Sequence, residues 1–253
     1  MGALSPRDPL PSDIPIELRG HRVLSAGGGA LRIDLLTSGG DIRCLLHEAP
    51  GEGAVIWVWG YAGGFDGPSH LYETVAEDLV SRRVASLRLD YRVPNDIPEC
   101  VRDVLAGVAF LTSMGKTRIG LVGHSFGGAV VIRAAAANSD VAAVVTLSSQ
   151  TYGVAGVDRI SPRPILLIHG LADENLPPRC SQLIYRLALE PKELVLLPGT
   201  AHNLKQSREH VRRLLADWLT EKLVGAAAGK REPREQRGAP TRRCARGGLP
   251  QGA

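Results

Sequence analysis

The residues with the clearest chemical potential lie in the stretch 118–137, RIGLVGHSFGGAVVIRAAAA, where Ser125 stands between Gly123 and Gly127. Ile119, Leu121 and Val122 read as a buried strand, and the apolar run 129–137 reads as a helix covered on all its faces. A strand that turns at once into a helix needs small residues around the turn. Glycines two positions to either side of Ser125 permit a sharp, strained elbow that lifts the serine above the sheet. A Gly-x-Ser-x-Gly pentapeptide can also be an ordinary surface turn, and it is the order strand, turn, helix that makes Ser125 a nucleophile candidate. A serine hydroxyl is a weak nucleophile until a base takes its proton, and the base needs a further group to fix its tautomer. The chain has seven histidines, so position must choose among them.

The elements that would position such a site follow from the apolar pattern. Residues 23–25, 31–36 and 42–47 read as strands separated by Gly-rich turns, an antiparallel lead-in at one sheet edge. From residue 54 onward strand and helix alternate, the pattern of parallel strands joined by crossover helices. Strands are expected over 55–59, 84–89, 143–147, 165–168 and 193–197. Helices are expected over 69–82, from a capping box of Asp96 and Glu99 through Met114, over 178–188 and over 205–223. On the last helix Val211, Leu214, Leu215 and Trp218 should face inward. The result is an α/β fold: a mostly parallel central sheet with helices on both faces. Residues 1–20 form an irregular Pro-rich arm, 21–224 a single domain, and 225–253 a basic tail with too little aliphatic bulk to fold.

GHSFG in this setting resembles the nucleophile turn of the α/β-hydrolase superfamily, and the likeness extends over roughly residues 20–223. The resemblance implies the chain order serine, acid, histidine, each on a loop at the carboxyl end of a strand. Asp173 then fits the acid. It follows a strand in HGLAD with Pro177 soon after, whereas Glu174 is one residue out of the pattern and Asp158 precedes the strand. An N-cap for the next helix is the plainer role for Asp173. His202 fits the base, just past the last strand in PGTAH. His124 is expected to point away from Ser125 and His169 to be structural, and packed or solvated roles suffice for His21, His47, His70 and His210. The oxyanion site is expected from the backbone N–H groups of Phe126 and Tyr61, with Ala62 the next candidate. Where the family usually has His-Gly, this chain has Trp59-Gly60.

Between the strands at 143–147 and 165–168 lie too few residues for the helical cap that many relatives insert, so the site should be open or roofed by loops. A serine at position 125 excludes the carboxylate-nucleophile branches, and the length leaves no room for a propeller. The compact layout is similar to the dienelactone-hydrolase-like and small carboxylesterase branches, although dienelactone hydrolases themselves use cysteine. These features imply a serine hydrolase acting on a small carboxylic ester or thioester, with no cofactor and no metal. An acyltransferase on the same residues and a silent binding protein are the alternatives.

Composition supports a sizeable core: 253 residues, 44% hydrophobic, with aromatics at only 4%, so the interior is built from Val, Leu, Ile and Ala. The tail has seven Lys or Arg against two Glu, which leaves residues 1–224 with a net charge of −1 out of the chain's +4. Basicity thus belongs to the tail, and its lack of interleaved aromatics argues against a nucleic-acid-binding arm. Cys44, Cys100, Cys180 and Cys244 are widely spaced, with no metal-site or disulfide pattern. Pro and Asp near the N-terminus, and the lack of any long apolar run, point to a soluble, cytoplasmic protein without a membrane partner. Arg92, just after a strand end, has two available roles: an anionic substrate group or a salt bridge.

Overall fold

The computed structural model describes residues 16–27 and 29–224. The residues assigned above to most of the N-terminal arm and to the basic tail lie outside this range. Nine strands form one sheet in the order β1-β2-β3-β5-β4-β6-β7-β8-β9. The lead-in β1 (Leu18–Gly27), β2 (Ala30–Thr37) and β3 (Ile42–His47) is antiparallel, and β3 also pairs antiparallel with β5 (Val84–Leu89). All remaining pairs are parallel, through β4 (Gly53–Val58), β6 (Arg118–His124), β7 (Val141–Leu147), β8 (Ile165–Gly170) and β9 (Lys192–Leu197).

Residues 18–20, assigned above to the arm, are part of β1, because their backbone pairs with the end of β2. Other boundaries move by a few residues. The expected helix 69–82 begins as a 3-10 turn, Pro68–His70, before α1 (Leu71–Ser81), and the closing helix begins as a 3-10 turn, Lys205–Ser207, before α5 (Arg208–Leu223). The first break falls at left-handed residues, Ser69 and His70, and the second 3-10 turn is preceded by a left-handed residue, Leu204. Helix α2 (Ile97–Ser113) starts with half of the expected capping box: Asp96 Oδ1 accepts from the Glu99 amide at 3.0 Å. The Glu99 carboxylate instead pairs with Arg92 and Arg102.

The sheet has a core on each face because alternate strand residues point to opposite sides. Ala54, Ile56 and Val58 of β4 join the core formed with α2 and α3 (Phe126–Ala137), while Val55 and Trp57 join the core formed with α1 and α5. Of the four inward positions expected on α5, Val211, Leu215 and Trp218 are buried and Leu214 is half-buried. The segment 148–164 between β7 and β8 holds one four-residue 3-10 helix, Val157–Ile160, and no cap. Strand order reverses around β4: the chain passes from β4 out to β5 and then back across to β6. Loops leaving the carboxyl ends of β4 and β6 therefore diverge and open a crevice, the usual ligand position in an open α/β sheet.

Arg92 is taken up structurally. Its Nε meets Asp103 Oδ1 at 2.5 Å, its amide donates to Asp103 Oδ2 at 2.8 Å, and its other guanidinium nitrogens reach Glu99 Oε2 at 2.9 Å and the Gly39 carbonyl at 2.6 Å. Asp103 is fully buried, and burial raises its pKa despite the arginine. Removing one partner strands the other charge in the interior. Arg92→Ala is accordingly expected to destabilise the fold by about 3 kcal/mol or more, read as a lower urea midpoint with an unchanged slope.

Candidate active site

Ser125 sits at the tip of β6 with φ 56° and ψ −117°, a conformation that a non-glycine residue holds only under strain. The surroundings enforce it. The Ser125 amide donates to the Leu147 carbonyl at 2.8 Å, tying the turn to the end of β7. A Cβ on Gly123 would lie 2.1 Å from the Gly127 carbonyl oxygen, and one on Gly127 would lie 2.3 Å from the Trp59 carbonyl oxygen. Both positions thus need glycine. Gly128 packs as closely, a Cβ there falling 2.3 Å from Ser149 Oγ.

The residues expected to be acid and base stand on neighbouring loops. Asp173 follows β8 and His202 follows β9, and these two strands pair in register. Backbone bonds join the loops: Leu171 donates to Leu197 at 2.8 Å and Ala172 to Thr200 at 2.9 Å. A Cβ on Gly170 would lie 2.0 Å from the Thr200 carbonyl oxygen, so this approach depends on the glycine of the HGLAD stretch.

His202 Nδ1 lies 2.7 Å from Asp173 Oδ2, and His202 Nε2 lies 3.1 Å from Ser125 Oγ. A carboxylate only accepts, so Nδ1 carries the proton and Nε2 is free to accept from the serine hydroxyl. The structure therefore brings together Ser125, Asp173 and His202. The Asp173 side chain is fully buried, and its Oδ1 accepts the amides of Asn175 and Leu176, both at 2.9 Å. Those two bonds close a local turn and do not cap the next helix, which begins at Arg179 after Pro178; the other carboxylate oxygen faces His202.

Two histidines assigned background roles surround this pair. His169 Nε2 lies 2.8 Å from the Leu176 carbonyl and 3.2 Å from Asp173 Oδ2, while its Nδ1 lies 2.7 Å from Ser181 Oγ. The carbonyl requires Nε2 to be the donor, so Nδ1 accepts from Ser181. Burial lowers the pKa of His169 and keeps it neutral. His124, expected to point away from Ser125, packs against His202. Its ring lies 4.8 Å from that of His202, and its Nε2 donates to the His202 carbonyl at 3.0 Å, bracing that residue. Burial lowers its pKa to about 4. Adjacency to Ser125 was the only sequence signal for His124, and it carried no hint of this contact.

Phe126 opens α3, where an amide has no acceptor within the helix. Gly60 of the opposite loop lies beside Ser125, a Cβ there falling 3.9 Å from Ser125 Cβ, and Tyr61 and Ala62 follow within a turn closed by Gly63 donating to Gly60 at 3.1 Å. Asp90, at the end of β5, anchors that loop by accepting from the Gly64 amide at 2.6 Å, and itself pairs with Arg43. Over Ser125 lies an open cavity of about 540 Å³ walled by Trp59, Tyr61, Phe126, Gln150, Leu176 and His202. Among the described residues there is no group of side chains able to hold a metal ion, and no helix is long and apolar enough to cross a membrane. Cys44, Cys100 and Cys180 are free thiols.

A sequence profile described as the alpha/beta hydrolase family matches residues 27–241. The chain belongs to this family. It is 34% identical to Escherichia coli YfhR over 114 residues, which is 36% of this chain and 40% of YfhR. It is 51% identical to Pseudomonas aeruginosa PA2218 over 47 residues, 18% of this chain and 12% of that protein. The matched stretches thus span less than half the length of these relatives. Among solved structures, a dienelactone hydrolase from Anabaena variabilis superposes with a TM-score of 0.69 at 20% identity, covering 78% of this chain and all of the other. Est1E from Butyrivibrio proteoclasticus gives 0.65 at 22% identity, covering 78% of this chain and 100% of that one. At these identities the likeness is one of fold.

The neutral state of His124 ties stability to pH. Below about pH 6.5 the unfolded chain binds a proton that folded His124 refuses until about pH 4, so its contribution is whole above pH 6.5 and is lost as pH falls through 4. His47, fully buried in β3 and with its pKa lowered to about 4 by burial, acts in the same direction. The shift at His124 corresponds to about 3 kcal/mol. Thermal melts between pH 8 and pH 4 should be level above pH 7 and fall steeply below pH 6, and His124→Gln should flatten the fall.

Proposed function

We propose that this protein is a serine hydrolase that cleaves a small carboxylic ester or thioester through an acyl-enzyme at Ser125. The observation that carries the reading is the hydrogen-bonded series from Asp173 through His202 to a serine held on a strained turn beneath an open cavity. His202 Nε2 takes the Ser125 proton as Oγ attacks the acyl carbonyl, and Asp173 stabilises the imidazolium that forms. The amides of Phe126 and Tyr61 receive the developing oxyanion, each lowering the barrier by about 3 kcal/mol. His202 then gives its proton to the departing oxygen or sulfur. A water molecule deprotonated by the same nitrogen releases the acid and frees the serine.

His124 and His169 serve this chemistry without touching the reacting atoms. Held neutral by burial, they fix the His202 backbone and the Asp173 carboxylate without adding a positive charge that would oppose formation of the imidazolium. The fold likeness to an esterase and to a dienelactone hydrolase supports ester chemistry as the starting point for a substrate search.

Hydrolysis of a p-nitrophenyl ester panel of varied acyl length, with thioesters beside it, tests the reading. Ser125→Ala and His202→Ala are expected to lower kcat by about a thousandfold or more without changing the fold. A fluorophosphonate probe should label the folded wild-type protein at Ser125 alone. Full esterase activity in Ser125→Ala, or no labelling of the folded protein, would reject the assignment.

A further inference from the structure

Two depressions border the cavity over Ser125, and the position of His202 distinguishes them. One depression, of about 570 Å³, shares Phe126 and Gln150 with the cavity and is walled further by Asn95 and Tyr152, without His202. The other, of about 460 Å³, shares Asn175 and His202 with it and is walled further by Glu174, Asn203 and Gln206. In an ester cleavage at Ser125, the half that departs must lie against the nitrogen that protonates it. The depression beside His202 is therefore on the departing side, and the acyl half lies towards Phe126.

The chemistry of that depression is one-sided. Gln206 Oε1 accepts from the Ala201 amide and Asn203 Oδ1 from the Lys205 amide, both at 3.2 Å, which leaves the NH2 groups of both side chains as donors. Glu174 is exposed, and among the described residues it has no ion-pair partner. The lining thus offers amide donors, one full negative charge and no lysine or arginine. Hydroxyl groups can donate to the carboxylate and accept from the amides, and an ammonium group adds Coulomb attraction. A carboxylate or phosphate meets repulsion with no cation to offset it.

We propose that Glu174, Asn203 and Gln206 form a leaving-group subsite that selects neutral or cationic alcohols and discriminates against anionic ones. This rests on the ester-hydrolase reading above. In it, Glu174, which neighbours the acid Asp173 in sequence, is a specificity-determining residue.

The test compares esters of one acid, the best on the p-nitrophenyl panel, with choline, glycerol and glycolate as the alcohols. The ratio of kcat/KM for choline ester to glycolate ester is measured with the full chain at low ionic strength. Glu174→Gln should lower this ratio about tenfold, and Gln206→Glu, which adds charge to the same wall, should raise it. Both changes should shrink in 1 M salt, where the screening length is about 3 Å. Taking the ratio of two substrates cancels any general effect on the chemical step. Ratios within twofold of wild type in both variants, with Ser125-dependent cleavage of all three esters, would overturn the subsite and leave the hydrolase reading standing. Failure of the folded wild-type protein to cleave any ester would overturn both.

Discussion

At Gly127 the first turn of α3 comes so close to the end of β4 that a side chain would overlap the Trp59 carbonyl. This backbone contact fixes three things at once. It sets the angle at which α3 leaves the sheet, and with it the strained dihedrals of Ser125. It holds the loop after Trp59 beside the serine, since Gly60 follows directly. It also places the start of α3, with its unsatisfied amides, facing that loop across the crevice. A methyl group at residue 127 would have to push the helix or the loop away, and the distances around Ser125 would change together. Side-chain packing can relax around a mutation, whereas two backbones in contact cannot without moving whole elements.

Much of this was legible in the sequence for the same reason. Glycines forced by close approach cannot be replaced, so Gly123 and Gly127 mark the turn, and the apolar runs on either side mark the strand and helix that meet there. The sheet was readable because β4 to β8 are buried on both faces and so appear as short, mainly apolar runs rich in Val, Ile, Leu and Ala. Asp173 and His202 were placed by chain order, and their separation of 2.7 Å is a tertiary fact that no local pattern encodes.

What could not be read is equally specific. The 3-10 turns before α1 and α5 depend on left-handed residues, Ser69, His70 and Leu204, whose types do not announce that conformation. The carboxylate of Glu99 left its capping box because Arg92 and Arg102 compete for it, and Arg92 comes from another segment. His124 and His169 read as bystanders because their partners are a distant carbonyl and a carboxylate four residues on. Only the three-dimensional arrangement turns them into supports for His202 and Asp173.

The short connection between β7 and β8 has a kinetic meaning as well as an architectural one. With a single 3-10 turn in residues 148–164 and, among the described residues, no cap above Ser125, an acyl group on the serine would stay in contact with bulk solvent. Water is then the acceptor present at the highest concentration, and an alcohol or thiol would have to occupy its own binding position to compete. Enzymes that hand an acyl group to another acceptor usually enclose it first. On the reading proposed above, an uncapped crevice would favour turnover of such an intermediate by water, and would leave choice of substrate to the fixed walls of the crevice rather than to a moving lid.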